Sequence, residues 1–214
     1  LKLTPVEIGL IGIGLLLILF LLKMPVAFAM AIVGTVGFCF IRGWSPGLSM
    51  LSRVMYEQFN SFPLSAITLF VLMGCFAFIA GMGNRLYTAA YGLVGDLRGG
   101  LTMATVIGCA FFAAICGSTN ATAAMMGRIA IPEMDRYGYS TSLSTGTITS
   151  AGTLGILIPP STVFIVYGYL TEQSIGKLFM AGIIPGIILS FLFLIAIYTT
   201  VSIHPQLAPP RELI

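Results

Sequence analysis

From Gly99 to Gly127 the chain carries no charged side chain, yet those 29 residues do not read as one membrane crossing. A continuous helix of that length would reach ~44 Å, against a hydrocarbon core of ~30 Å, and would need steep tilt. Its middle is also wrong for a straight rod. Leu101 to Cys116 is apolar, Gly117-Ser118-Thr119-Asn120 is small and polar, and a second apolar run from Ala121 to Ile131 is interrupted by Arg128. That second run covers only ~16 Å and cannot cross. A re-entrant helical hairpin over about 101–131 resolves both conflicts and puts Arg98, Arg128 and Arg136 on one face. Its polar tip must then be enclosed, because non-helical backbone at membrane depth survives only inside protein or beside an aqueous cavity.

A second interruption follows at once. Ser140 to Ala151 is small and hydroxyl-rich, and Gly152-Thr153-Leu154-Gly155-Ile156-Leu157-Ile158-Pro159-Pro160-Ser161 cannot be continuous helix. Its glycines weaken the helix, and each proline removes a backbone donor and clashes one turn back. Helix resumes from Val163 to Leu170, which makes about 140–170 a discontinuous helix.

Composition supports a bilayer as the solvent. Only 8% of the residues are charged, against ~25% in soluble domains, and the mean hydropathy is +1.03. Such a chain cannot cover a globular surface with polar groups, which excludes a soluble enzyme and a disordered tail. Ten Lys and Arg against seven Asp and Glu, widely scattered, also give no footprint for nucleic acid. Glycine, at 25 of 214 residues, exceeds the usual ~7% and suits close helix packing and helix breaks in lipid. Cys39, Cys75, Cys109 and Cys116 lie in apolar runs without metal-ligand spacing and read as small hydrophobes. No small-residue cleavage motif follows the first apolar run, so no cleavable signal peptide is expected.

The other spans lie between charges. Ile8 to Leu22 is bounded by Glu7 and Lys23 and is short unless Leu3 to Glu7 extend it; Met24 to Ile41 ends at Arg42, with Pro25 in its first turn; Leu64 to Gly81 is the third. Between the last two, Leu48, Leu51, Met55 and Phe59 recur at helical spacing, giving an amphipathic helix along the membrane surface or against a neighbour. Asn84 to Gly95 reads as a second interfacial helix, Leu178 to about Val201 as a final span, and His204, Pro205, Pro209 and Pro210 as an extended tail. With the N-terminus outside, Lys23, Arg85, Arg98, Arg128, Arg136 and Arg211 fall inside, against Lys2, Arg42, Arg53 and Lys177 outside, a weak positive-inside bias.

Broken helices in a membrane interior expose bare N–H groups at one helix start and bare C=O groups at another helix end, each end carrying roughly half a charge. Unwound carbonyls with Ser and Thr hydroxyls suit a sodium ion, and helix N-termini suit a carboxylate. Gly117–Asn120 and Gly152–Ser161 offer both without a charged side chain. Nucleophilic catalysis by Ser118 has no visible base, since the single histidine, His204, is in the tail. No catalytic residue and no enzyme activity are expected. Glu133 and Asp135 read as solvated turn charges, and Arg128 as a snorkelling cation.

Phe111-Phe112-Ala113-Ala114-Ile115-Cys116-Gly117-Ser118-Thr119-Asn120-Ala121-Thr122, with Ile131-Pro132-Glu133-Met134 and Gly138-Tyr139, resembles the first hairpin region of the large membrane subunit of TRAP transporters. The run from Gly152 to Ser161 resembles that family's broken fifth segment. Asn60-Ser61-Phe62-Pro63-Leu64, Ser174-Ile175-Gly176-Lys177-Leu178-Phe179 and Ala181-Gly182-Ile183-Ile184-Pro185-Gly186 extend the match over most of the chain.

The resemblance implies an all-α polytopic membrane protein, one repeat of an inverted-repeat elevator-type transporter. Residues 1–100 would be scaffold helices with interfacial helices, 101–171 the transport region, and 172–214 the final span and tail. It implies sodium-coupled, binding-protein-dependent import of an organic acid anion, such as a C4-dicarboxylate or a sialic acid, across the bacterial inner membrane. Na+ would be the coupling ion and no other cofactor is expected. The implied partners are a small membrane subunit, a periplasmic substrate-binding protein, the missing second half of the large subunit and the lipid bilayer. By the same resemblance, Ser118, Thr119, Asn120, Gly152, Gly155, Ile158 and Pro160 would bind sodium, and Thr122, Thr153, Ser161 and Thr162 would line the substrate cavity. The alternatives are a sodium/dicarboxylate symporter without a binding protein and a passive channel. Cys116 stands where the family usually has Ser, and Thr68 where it often has Pro. The family's large subunit is about twice this length, so the chain alone is not expected to transport.

Overall fold

The computed structural model describes residues 4–209. Lys2, Pro210 and Arg211, used above for the charge bias and the tail, lie outside them, as does Leu3, the proposed start of the first span's extension. Among the described residues the regular structure is entirely helical. The chain is an all-α polytopic membrane protein, and it divides into two compact units at Ser61/Phe62.

The first unit holds α1 (Pro5–Leu21), α2 (Val26–Arg42) and α3 (Trp44–Phe59). Thr4 starts α1 with a capping box: its hydroxyl accepts from Glu7 N at 3.4 Å, and its own N–H donates to Glu7 Oε2 at 2.7 Å. Pro25 occupies the N-cap of α2, where its missing donor costs nothing. Close approach joins α2 to α3: a Cβ on Gly47 would meet the Cys39 side chain, and Cys39 is buried.

The second unit begins with α4 (Phe62–Ile79) and α5 (Met82–Val94). It continues through α6 (Gly100–Cys116), α7 (Thr119–Arg136), α8 (Thr141–Gly152), α9 (Leu154–Leu157), α10 (Thr162–Leu170) and α11 (Ile175–Ile203). Its core is centred on α6, the most deeply buried helix, which packs against α4, α5, α7, α8, α9 and α11. By length and composition α4 and α11 are able to cross a bilayer, with mean hydropathies of 2.2 and 2.6. The broken helix α8–α10, bent by 41°, would be a third span. The apolar helices α1, α2 and α6 have 17 residues each, the lower end of the ~17–25 that spanning requires.

Three expectations are corrected. The second hairpin arm does not stop near Ile131: α7 runs 18 residues, through Pro132 to Arg136. Thr122, Met126, Ala130 and Met134, spaced by four, are fully buried, so one stripe carries the helix past its charges, which occupy other faces. Thr119 and Asn120 are the first turn of α7 and not loop, leaving Gly117 and Ser118 as the turn itself. The tail is not extended: Pro205–Leu207 form a 3-10 turn that accepts a hydrogen bond from Ser140 N at Leu207 O, 2.9 Å.

The second break is shorter than the ten residues from Gly152 to Ser161. Thr153 keeps helical dihedrals (φ −63°, ψ −18°), so the chain passes from α8 into α9 with little disturbance. True unwinding is confined to Ile158–Ser161, where Ile158 and Ser161 are extended. Proline chemistry decides the place, because Pro159 and Pro160 together deny two consecutive donors to a helix.

Candidate functional site

Two helix interruptions meet. The α6–α7 turn requires Gly117, whose φ of +64° is left-handed, and this residue is the C-cap of α6, with its N–H donating to Ala113 O at 2.9 Å. A Cβ added there would run into the carbonyl oxygen of Pro160, so the turn lies directly against the unwound segment. On the other side, a Cβ on Gly155 would lie 2.9 Å from Thr119 N and 3.0 Å from the Ser118 carbonyl carbon. A Cβ on Gly152 would lie 2.9 Å from Ala123 Cβ. Glycine at these three places allows backbone to touch backbone, the use to which membrane helices put small residues.

Hydrogen bonds lock the junction. Thr162 donates twice to Gly117 O, through its N–H and through Oγ1, both at 3.2 Å. Ser118 is the N-cap of α7, its hydroxyl accepting from Ala121 N at 3.4 Å; Ser161 is the N-cap of α10, accepting from Phe164 N at 3.4 Å. Two helix C-termini, of α6 and α9, and two helix N-termini, of α7 and α10, are therefore gathered at one place. The ends bring bare carbonyls and N–H groups of opposite partial charge without a charged side chain. Replacing Thr162 by valine should cost about 1 kcal/mol by deleting one of the two bonds to Gly117 O. Serine at 162 should restore it, as read from the melting temperature in detergent.

The site residues named from the sequence are not all placed alike. Ser118, Thr119, Gly152, Gly155 and Pro160 line the contact, together with Ser161 and Thr162. Thr122 is fully buried one turn into α7, and its Oγ1 has no hydrogen-bond partner. Asn120 is exposed, as is Thr153, whose hydroxyl donates to Ser150 O at 2.6 Å. Ile158 packs toward α11, its Cγ1 lying 2.8 Å from where a Gly186 Cβ would be.

Sequence reasoning missed what holds the break from behind. A Cβ on Gly182 of α11 would strike Leu157 O and the Phe164 ring, so α11 crosses the break at small residues, Gly182 and, one turn on, Gly186. It also missed that α4 crosses α6 at the hairpin turn: a Cβ on Gly74 would lie 2.6 Å from Cys116 Sγ. The Cys116 thiol therefore packs on α4, in a cavity that Ser118 also lines. In both cases the sequence shows only a glycine within an apolar helix, Gly182 and Gly74.

Comparison with known proteins gives this architecture a family. Residues 13–212 match the family described as "Tripartite ATP-independent periplasmic transporter, DctM component". The C4-dicarboxylate TRAP transporter large permease protein DctM of Pseudomonas aeruginosa is 44% identical over 161 residues, 75% of this chain and 38% of the relative. The same-named protein of Rhodobacter capsulatus is 35% identical over 196 residues, 85% of this chain and 44% of the relative. The ectoine TRAP transporter large permease protein TeaC of Halomonas elongata is 34% identical over 189 residues, 88% of this chain and 43% of the relative. The chain thus spans less than half the length of these relatives. It belongs to the DctM family of TRAP transporter large permeases.

Proposed function

We propose that the chain acts within a sodium-coupled importer of organic acid anions in the bacterial inner membrane. A periplasmic binding protein delivers the substrate, and a small membrane subunit and a second half of the large subunit complete the permease. What carries this reading is the junction of the two breaks, Gly117 against Pro160 and Gly155 against Thr119. Hard carbonyl and hydroxyl oxygens without a fixed charge suit a monovalent cation in a membrane interior. Ser118, Thr119, Asn120, Gly152, Gly155, Ile158 and Pro160 are the residues that hold sodium in this proposal. Thr122 Oγ1, fully buried one turn into α7, is left without a hydrogen-bond partner and supports a polar ligand near the junction.

Thr122, Thr153, Ser161 and Thr162 face the substrate in the same proposal, where the N-termini of α7 and α10 favour an anionic group. The relatives' names point the same way, to C4-dicarboxylates, ectoine and, for a DctMQ permease of Oleidesulfovibrio alaskensis, isethionate. Each inward sodium charge contributes about 2.3 kcal/mol per 100 mV, so a few ions drive a carboxylate uphill. Movement of the hairpin and broken helix together against a scaffold, as an elevator, requires them to be one rigid piece, and their interlocked turns support that.

The test is uptake of radiolabelled succinate and sialic acid by proteoliposomes holding the complete permease, with its binding protein. Uptake should require sodium and the binding protein. Uptake that persists in potassium, or without the binding protein, would contradict the proposal and favour a channel or a simple symporter.

A further inference from the structure

Two cavities in the second unit share one residue, Arg128 of α7, and differ in character. The first, of about 550 Å³ between α5 and α7, has a mixed lining: Asn84, Thr88 and Tyr91 of α5, Glu133 of α7 and Tyr137 beyond it bring polar groups, beside Leu101 and Ile129. The second, of about 460 Å³, lies between α4 and the α6–α7 hairpin. It is walled by Val71, Phe78 and Ile79 of α4 and by Ala124 and Met125 of α7. Arg128 is common to both linings, so a guanidinium stands between a mainly polar recess and an apolar one, the pair called here the slot.

Their charges are unspent. Arg128 and Glu133 form no ion pair with each other or with any described residue, whereas Arg136 lies over the Tyr137 ring, 5.6 Å from its centroid. By sequence position the polar end falls where a membrane edge is expected. It reaches Leu101, in the first turn of apolar α6, and Tyr137, just past the charged end of α7. Tyrosines and charges gather at such edges, and an arginine two turns deeper reaches back to them by snorkelling.

We propose that this slot holds one zwitterionic phospholipid of the phosphatidylethanolamine type. Its phosphate pairs with Arg128, its ammonium with Glu133, and one acyl chain lies along α4 toward the hairpin turn. A cation and an anion in one cavity complement a headgroup carrying both signs, and the adjoining apolar cavity accepts the chain that a free phosphate ester lacks. The far end of that cavity is lined by Cys116 and Ser118, so the chain's end would rest against the turn of the hairpin. The inference is independent of sodium coupling.

The test is native mass spectrometry of the full chain in mild detergent, titrated with dioleoyl phosphatidylethanolamine, phosphatidylglycerol and phosphatidylcholine. Phosphatidylethanolamine should be retained preferentially. Arg128→Gln should weaken retention of all three by about tenfold, the loss of one charged contact, and Arg128→Lys should recover part of it. Glu133→Gln should remove the preference for ethanolamine while leaving phosphatidylglycerol bound. Ala124→Phe, which fills the apolar cavity, should weaken every lipid irrespective of headgroup, with circular dichroism confirming that each variant remains helical. Retention blind to headgroup, preference for phosphatidylglycerol in the unaltered chain, or a pattern that survives both charge substitutions would overturn the proposal.

Discussion

Gly117→Ala is expected to disable the protein, giving a lower melting temperature in detergent and loss of uptake in the complete permease. Two independent penalties fall on the one methyl group. A left-handed backbone at φ +64° costs a non-glycine residue roughly 1–2 kcal/mol. The Cβ would also collide with Pro160 O, a backbone atom that moves only if the unwound segment moves. Relief of the second penalty would separate the hairpin turn from the break and release both Thr162 bonds to Gly117 O. Gly138→Ala serves as the control, because Gly138 has a similar φ of +73° with open space around it. It should carry the backbone penalty alone and retain uptake. Equal damage from the two variants would show that backbone strain, and not the junction, is what matters.

Gly182→Val is the second large effect expected. Gly182 lies where α11 crosses the break, and its Cβ would strike Leu157 O and the Phe164 ring, placing a side chain between α11 and the start of α10. The change should displace α11 and cost at least about 2 kcal/mol, in the range of overpacked cores. Gly186→Ala, one turn on, meets one atom closely, Ile158 Cγ1 at 2.8 Å, with backbone no nearer than 3.6 Å. Because a β-branched side chain must shift but no backbone atom is struck, that variant should lower the melting temperature by less than Gly182→Val does. Thermal unfolding of the purified chain, followed by size-exclusion chromatography with tryptophan fluorescence, distinguishes the two.

What the sequence discloses here depends on whether the cause is local. Proline acts on its own backbone, so the break at Ile158–Ser161 was visible in Pro159-Pro160 alone. The α6–α7 turn was visible for a similar reason, since Gly117-Ser118 is a helix stop followed by a helix start. The length of α7 was misjudged because charges served as a ruler for lipid. Thr122, Met126, Ala130 and Met134 show that a buried stripe continues beneath Arg128, Glu133 and Arg136. Gly152 looked like part of the break and is instead a contact point, packed on Ala123 while the helix runs on through Thr153. Partners distant in sequence, such as Gly74 with Cys116 or Gly182 with Leu157, leave only a small residue as their mark. Small residues are too common in this chain to show which of them touch. The slot around Arg128 likewise exists only once α4, α5 and α7 are assembled.

The central claim is that the α6–α7 turn and the α8–α10 break form one ion-binding junction. Hydrogen–deuterium exchange on the full-length large subunit, compared in sodium and in potassium at equal ionic strength, tests it most directly. Because a bound ion stabilises what it binds, sodium should slow exchange at the amides of 117–122 and 161–165 together, with little change in α1 to α3. Identical exchange in the two salts, or protection in one of the segments without the other, would contradict the account.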